Sequence, residues 1–402
     1  MSDIVVIGAG QAGASLVARL RKNGFGGSVT LIGNEPAPPY QRPPLSKAYL
    51  KGEMTVERLY LRPAEFYEDA QISLRLDAHV DRIDPAARRV YIADEALPYD
   101  TLVLCTGSSP RRLPASIGGA LEGVHVMRDL ADADAMGPRF GTGARVLIVG
   151  GGYIGLEAAA VAAQKGLHVT LVEMADRILQ RVASPETSEY FRALHRAHGV
   201  DIREGVGLER LLGEAHVTGA KLSDGTELDV DFVIVGVGIA PNTSLAEAAG
   251  LEIDNGIRID AEGRTSNPAI WAAGDCASFP HKAGRLRLES VPNAIDMAEC
   301  VADNIMGAGT PYVPQPWFWS DQFDVKLQIA GLGAGYDRIV KRAGTGTQSL
   351  SLWYFVGDRL LAVDAMNDPR AYMVGKRLIE AGKSPPADAV ADPGTDLKSL
   401  LA

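Results

Sequence analysis

Two glycine clusters of one design stand far apart in this chain, Gly8-Ala9-Gly10-Gln11-Ala12-Gly13 and Gly150-Gly151-Gly152-Tyr153-Ile154-Gly155. Glycines at these spacings suit a pyrophosphate. The first permits a tight turn, the second lets phosphate reach the backbone, and the third lets helix and strand approach closely. An acid follows each cluster at about the distance where a carboxylate meets a ribose hydroxyl, Glu35 and Glu173. A lone motif of this kind is weak; two, each with its acid, predict two dinucleotides on one chain. A third carboxylate, Asp275 in Ala272-Ala273-Gly274-Asp275-Cys276, suits either a helix cap or a polyol such as ribityl. With the first glycine cluster present, the ligand role is favoured.

Such clusters work only where a buried strand turns into a helix, and each has its strand, Ile4-Val5-Val6-Ile7 and Val146-Leu147-Ile148-Val149. The helix N-terminus then adds free N–H groups and a positive dipole end. The first βαβ unit runs from Ile4 to Gly33, and the strand Thr101 to Cys105 closes on the turn Thr106-Gly107. The second runs from Arg145 to Glu173 and ends its domain at the strand Phe232 to Val235. Between the first unit and its closing strand, Pro36 to Lys47 reads as a stiff loop outside the core. A strand at Ala269 to Asp275 and a helix near Asn293 to Met306 follow. From Tyr312 onward, alternating aromatic and apolar residues predict an antiparallel sheet, with a helix near Tyr372 to Ala381 and a Pro/Ala/Asp-rich tail. The fold class is therefore α/β, two Rossmann-like dinucleotide-binding domains plus a C-terminal α+β domain with antiparallel sheet.

With 402 residues, 46% of them hydrophobic and 22% charged, the chain can build two or three domains. A net charge of −10 and no run of Lys or Arg argue against nucleic-acid binding. Cys105, Cys276 and Cys300 are scattered without a CxxC, which fits a reducing, cytoplasmic setting and opposes a structural zinc site. The seven histidines have no metal or triad spacing, so no metal is expected. The first strand begins by Ile4, leaving no room for a signal peptide, and no apolar stretch reads as a membrane span.

Together these motifs resemble those of the two-dinucleotide, glutathione-reductase-like flavoprotein reductases. More narrowly, the chain resembles the FAD-dependent NADH:ferredoxin reductases of bacterial cytochrome P-450 and ring-hydroxylating dioxygenase systems, the putidaredoxin reductase-like group. The resemblance covers essentially the whole chain. It rests on the two glycine clusters, Pro43-Pro44-Leu45-Ser46-Lys47, Thr106-Gly107, Gly238 to Asn242, Ala273-Gly274-Asp275, Glu289 to Asn293 and Trp317-Phe318-Trp319-Ser320-Asp321-Gln322. It implies an FAD domain (1–108 and 237–311) split by an inserted NADH domain (109–236), then a C-terminal domain (312–402). It further implies a transient 2Fe-2S ferredoxin partner and, indirectly, a P-450 monooxygenase. A rubredoxin reductase or a relative of apoptosis-inducing factor is the alternative enzyme, and a flavin-based redox sensor the alternative of another class.

Carried over residue by residue, the pattern places Gly8, Gly10, Ala12, Gly13, Glu35 (or Asn34 before it), Arg42, Lys47, Val80, Arg128, Asp275 and Val291 at FAD, with Thr106, Gly107 and Gly238 also cofactor-binding. Trp319 falls near the flavin ring; Gly150, Gly152, Tyr153, Ile154, Gly155, Glu157 and Glu173 fall on the nicotinamide side. Hydride transfer between these cofactors needs no obligatory acid or base, so the protein supplies orientation and electrostatics. Lys47 can stabilise negative charge developing on the flavin, and Glu157 can pair with Lys47 and orient the carboxamide; with Tyr153 they form the catalytic set. Disulfide reductases of this superfamily carry a CxxxxC near the flavin, but Tyr40 to Lys51 holds no cysteine. An acidic ferredoxin calls for a local basic patch, for which Arg285, Arg287, Lys376, Arg377 and Lys383 are the candidates.

Overall fold

The run Ile4-Val5-Val6-Ile7 forms the centre of a five-stranded parallel sheet because β-branched side chains buried on both faces fit a pleated surface. The strand order is Ile270–Ala272, Thr101–Leu104, Asp3–Ile7, Ser28–Ile32 and Ile72–Arg75. The computed structural model describes residues 2–282 and 284–401. They divide into two compact units, the first comprising Met1–Gln41, Val56–Ser109 and Ile239–Gln315. In this unit helix Gln11–Lys22 buries Leu16, Val17 and Leu20 and packs against helix Val291–Ile305, whose Ser290 side chain caps the Asn293 N–H.

The second unit comprises Arg42–Thr55, Pro110–Gly238 and Pro316–Ala402. Its parallel sheet repeats the first design, in the order Asp201–Glu204, His168–Glu173, Arg145–Val149, Phe232–Val235 and Val124–His125. Its other large sheet is antiparallel: Trp317–Gln322, Val325–Gly331, Arg359–Met366, Leu350–Val356 and Arg338–Ala343. The fold class read from sequence is the one observed.

Strand Leu350–Val356 is almost continuously apolar because both faces are covered. Leu352 and Tyr354 share a core with Ile148 and Phe191 of the dinucleotide sheet and its helix. Trp353 and Phe355 join Tyr372, Val374 and Leu378 of helix Pro369–Glu380. The second glycine-bearing segment and the C-terminal sheet are thus one compact unit. The tail read as merely Pro/Ala/Asp-rich contributes Val390 and Leu397 to that same core.

The Pro-rich segment departs from the expected loop. Its end is a helical turn, Leu45–Tyr49, with Leu45 and Ser46 buried. Leu50 packs with Met136 and Phe140 in the second unit, which is why residues 42–55 belong there.

Candidate functional site

In the first unit, a Cβ on Gly8 would lie 2.0 Å from the Cys105 carbonyl oxygen, and one on Gly13 would lie 2.0 Å from the Gly8 carbonyl oxygen. Gly8 therefore lets the turn approach the end of the neighbouring strand, and Gly13 lets the helix approach the turn. Gly10 differs, since nothing lies within 4 Å of its Cβ position. Helix Gln11–Lys22 begins at Gly10 without a side-chain cap, so an open, donor-rich helix start faces that space. Around it, the half-buried Glu35 accepts a hydrogen bond from Tyr40 while Asn34 is exposed. Ser108 Oγ donates to Asp275 Oδ2 at 2.8 Å. Gly274, at φ +86°, brings the Asp275 turn against Ala12, where an added Cβ would sit 3.0 Å from Ala12 Cβ. Thr106 and Asn242 bond reciprocally, Val80 is buried, and Val291 opens its helix.

The second unit copies this cradle. Cβ atoms at Gly150 and Gly155 would meet the carbonyl oxygens of Gly236 at 2.4 Å and Gly150 at 2.1 Å, whereas Gly152 faces open space. Helix Tyr153–Gln164 likewise starts without a side-chain cap. Glu173 is fixed by two backbone donors at 2.8 Å each, Gly151 N–H on Oε2 and Ala175 N–H on Oε1. Arg177, the nearest following cation, spends its guanidinium on Ser188 Oγ and the Ser184, Ala183 and Gln180 carbonyls. Gly238 accepts from Arg111 N–H, and Ile154 is 44% exposed. Each cradle fits a dinucleotide.

Gly10 (φ −94°) and Gly152 (φ −80°) have backbones any residue adopts, so their need for glycine comes from the ligand. Gly152→Ala is expected to keep its flavin and fold while weakening NADH about tenfold or more. Gly155→Ala, whose Cβ meets backbone, is expected to lower the unfolding temperature. Titration of both variants with NADH, beside thermal melts, checks this.

The second unit also assembles an ion pair. Lys47, kinked out of helical geometry at φ −134° and ψ −110°, donates to Glu157 Oε2 and to the Pro43 carbonyl at 3.3 Å. Glu157 lies one turn into helix Tyr153–Gln164 and is 3% exposed, so it is no solvated helix-face charge. Its Oε2 also accepts from Ser46 Oγ at 3.0 Å, and its Oε1 from Ser320 Oγ at 2.7 Å. Such burial of a carboxylate is tolerated because cation and hydroxyls satisfy it. Nearby in sequence, Arg42 donates to the Arg128 carbonyl at 2.7 Å.

Strand alternation separates the aromatic residues. Phe318, Ser320 and Gln322 share one face, where the Tyr153 ring meets Phe318 at 4.9 Å between centroids. The Tyr153 hydroxyl is buried without a hydrogen-bond partner, so its ring, not its oxygen, is what this residue can offer. Trp319 lies on the opposite face, with Trp317 at 5.6 Å. The hydroxyls of Ser46 and Ser320 were not singled out from sequence. For Ser320 the signal available was its place two residues from Gln322, on one face of an aromatic strand.

Cys105 and Cys276 are buried, and burial raises both thiols, so neither is a ready thiolate. Among the described residues no group of side chains could hold a metal, and no helix is long and apolar enough to cross a membrane. The candidate residues for a basic patch differ in their surroundings. Arg285 donates to the Ile259 and Ser278 carbonyls, Arg287 pairs with Glu289, and Lys376 pairs with Glu380. Arg377 is exposed, and Lys383 donates to the Leu401 carbonyl.

Residues 2–298 match the pyridine nucleotide-disulphide oxidoreductase family and residues 317–401 the reductase C-terminal family. A ferredoxin–NAD(P)(+) reductase of Sphingomonas is 45% identical over 99% of this chain and 97% of its own length. The ferredoxin reductase for the CYP199A2 system of Rhodopseudomonas palustris is 39% identical, covering 100% of both chains, with a TM-score of 0.96. The reductase in the covalent putidaredoxin reductase–putidaredoxin complex is 40% identical over 100% of this chain and 98% of that one, with a TM-score of 0.95. The chain belongs to the ferredoxin–NAD reductases within the pyridine nucleotide-disulphide oxidoreductase family, flavoproteins that use FAD and NAD(H).

Proposed function

We propose that this protein passes electrons from NADH through FAD to a 2Fe-2S ferredoxin that supplies a monooxygenase. The observation that carries the reading is the pair of dinucleotide cradles on one chain, with no dithiol motif in the Pro-rich turn where disulfide reductases of this superfamily keep one. The ferredoxin reductases and the putidaredoxin complex among its relatives support the choice of acceptor. FAD, when bound, supplies the conversion of a two-electron donor into single-electron steps.

The chain's own residues have limited tasks. The Gly10 cradle and Asp275 hold FAD, and the Gly152 cradle holds NADH, each offering uncapped helix N–H groups to a pyrophosphate. Glu173, oriented by Gly151 and Ala175, accepts the ribose hydroxyl and repels a 2′-phosphate, while Arg177 is committed elsewhere, so NADPH is the poorer donor. Lys47, held by Glu157 and Pro43, keeps a cation where negative charge develops, and Glu157 orients the nicotinamide end. Three free cysteines suit a cytoplasmic setting.

The test is anaerobic titration followed by turnover with a 2Fe-2S ferredoxin. The expected result is non-covalent FAD that takes up two electrons per flavin. Ferredoxin reduction is expected to slow as salt rises and to survive replacement of Cys105, Cys276 and Cys300 together by Ser or Ala. Loss of turnover on removing a single cysteine, with FAD and fold retained, would overturn direct transfer from the flavin.

A further inference from the structure

The Glu157 carboxylate is the end of a longer chain of hydrogen bonds. Ser320 Oγ donates its single proton to Glu157 Oε1 at 2.7 Å. Ser320 Oγ in turn accepts from Gln322 Nε2 at 3.1 Å. That fixes the amide, so Gln322 Oε1 faces His195 Nε2 at 2.8 Å and can only accept from it. His195 is therefore the Nε2–H tautomer, and its Nδ1 is buried without a partner. Ser320, Gln322 and His195 have essentially no solvent exposure. Every donor in the chain points the same way, toward the carboxylate.

We infer that Ser320, Gln322 and His195 are positioning residues that hold Glu157 in one orientation against Lys47. The inference rests on the reading of Glu157 as the nicotinamide-side carboxylate. Ser46 and Lys47 both engage Oε2, and alone they leave the carboxylate free to rotate about its last torsion. Ser320 on Oε1 stops that rotation. Gln322 stops Ser320 from turning its proton elsewhere, and His195 stops the Gln322 amide from flipping. The chain ties three elements together: helix Pro185–Ala197, strand Trp317–Gln322 and helix Tyr153–Gln164. A neutral imidazole is what this direction requires. Burial lowers the His195 pKa to about 4, which keeps it neutral in the working range. The aligned dipoles add a fixed positive potential at Oε1, in a buried site where such preorganisation counts most.

The experiment uses the FAD-loaded enzyme and two readouts. Imidazole nitrogen NMR of the wild type should find His195 protonated at Nε2 and bare at Nδ1; protonation at Nδ1 would overturn the inference. Stopped-flow flavin reduction at saturating NADH should slow about tenfold in Ser320→Ala and be restored in Ser320→Thr, with NADH affinity little changed. Gln322→Met should slow reduction as well and shift the His195 tautomer signal. If Ser320→Ala does not keep its flavin, Gln322→Met carries the kinetic test alone. In Glu157→Gln, adding Ser320→Ala should produce no further loss, because both act through one carboxylate. A slow Glu157→Gln beside unaffected Ser320→Ala and Gln322→Met would sink the positioning chain and spare the reading of Glu157. An unaffected Glu157→Gln would sink both.

Discussion

Lys47→Met is expected to destabilise the protein by about 3 kcal/mol and to slow flavin reduction by NADH about a hundredfold. The two partners of the ion pair are unequally placed. Glu157 is 3% exposed, whereas the Lys47 side chain is 19% exposed. Removing the lysine leaves a buried carboxylate with only the Ser46 and Ser320 hydroxyls, and an uncompensated buried charge is among the costliest single changes. Removing the charge of Glu157 instead leaves an ammonium that can turn toward water, and a glutamine still offers an acceptor to a hydroxyl. Glu157→Gln should therefore cost much less stability, about 1 kcal/mol or below. Urea-unfolding midpoints rank the two variants, and stopped-flow absorbance of the flavin gives the rates. Equal stability of Lys47→Met and Glu157→Gln would mean that the pair is not buried as described.

The sequence was most legible where function is written in adjacent residues. Both cradles could be read because the glycine spacing, the preceding strand and the trailing acid all lie within one βαβ unit, and the structure reproduces the contacts the spacing implies at Gly8, Gly13, Gly150 and Gly155. Lys47 and Glu157 came from resemblance, and the ion pair between them joins positions 110 apart that no local pattern links. The rest of the network was out of reach for the same reason. Ser320 meets Glu157 across 163 positions and His195 meets Gln322 across 127. Such pairs are chosen by tertiary packing alone. The Pro-rich segment reads as a loop because prolines beside polar residues argue against a core element, yet one helical turn carries Leu45 and Ser46 inward. Arg285 and Arg287 looked like surface charges by type. Their guanidinium groups are instead spent on carbonyls and on Glu289, a use that charge counting cannot distinguish from a docking patch.

Asp364→Asn and His195→Gln are expected to change acid stability in opposite directions, each by about 3 kcal/mol between pH 7 and 4. Both groups sit in the buried polar interior of the second unit. Asp364 accepts from Tyr354 Oη and from Thr187 Oγ1 at 2.7 Å, while Ser184 N–H donates to Tyr354 Oη at 3.1 Å. Burial outweighs these bonds and raises the Asp364 carboxyl to about 6. A raised carboxyl contributes stability that is complete below the unfolded value, near 3.8, and is lost as pH climbs through 6. His195 runs the other way. Its folded value of about 4, against 6.5 unfolded, contributes stability above 6.5 that is lost as pH falls through 4. In the wild type these two dependences largely cancel, because the windows overlap and the signs oppose. Asparagine can still accept from Tyr354 and Thr187 but no longer gains on acidification, so Asp364→Asn should lose stability steeply below pH 6. Glutamine can still donate to Gln322 but never charges, so His195→Gln should hold or gain stability over the same range. Urea midpoints of the three proteins at half-unit steps of pH decide the matter. Curves that stay parallel from pH 7 to 4 would show that neither buried group titrates in that window.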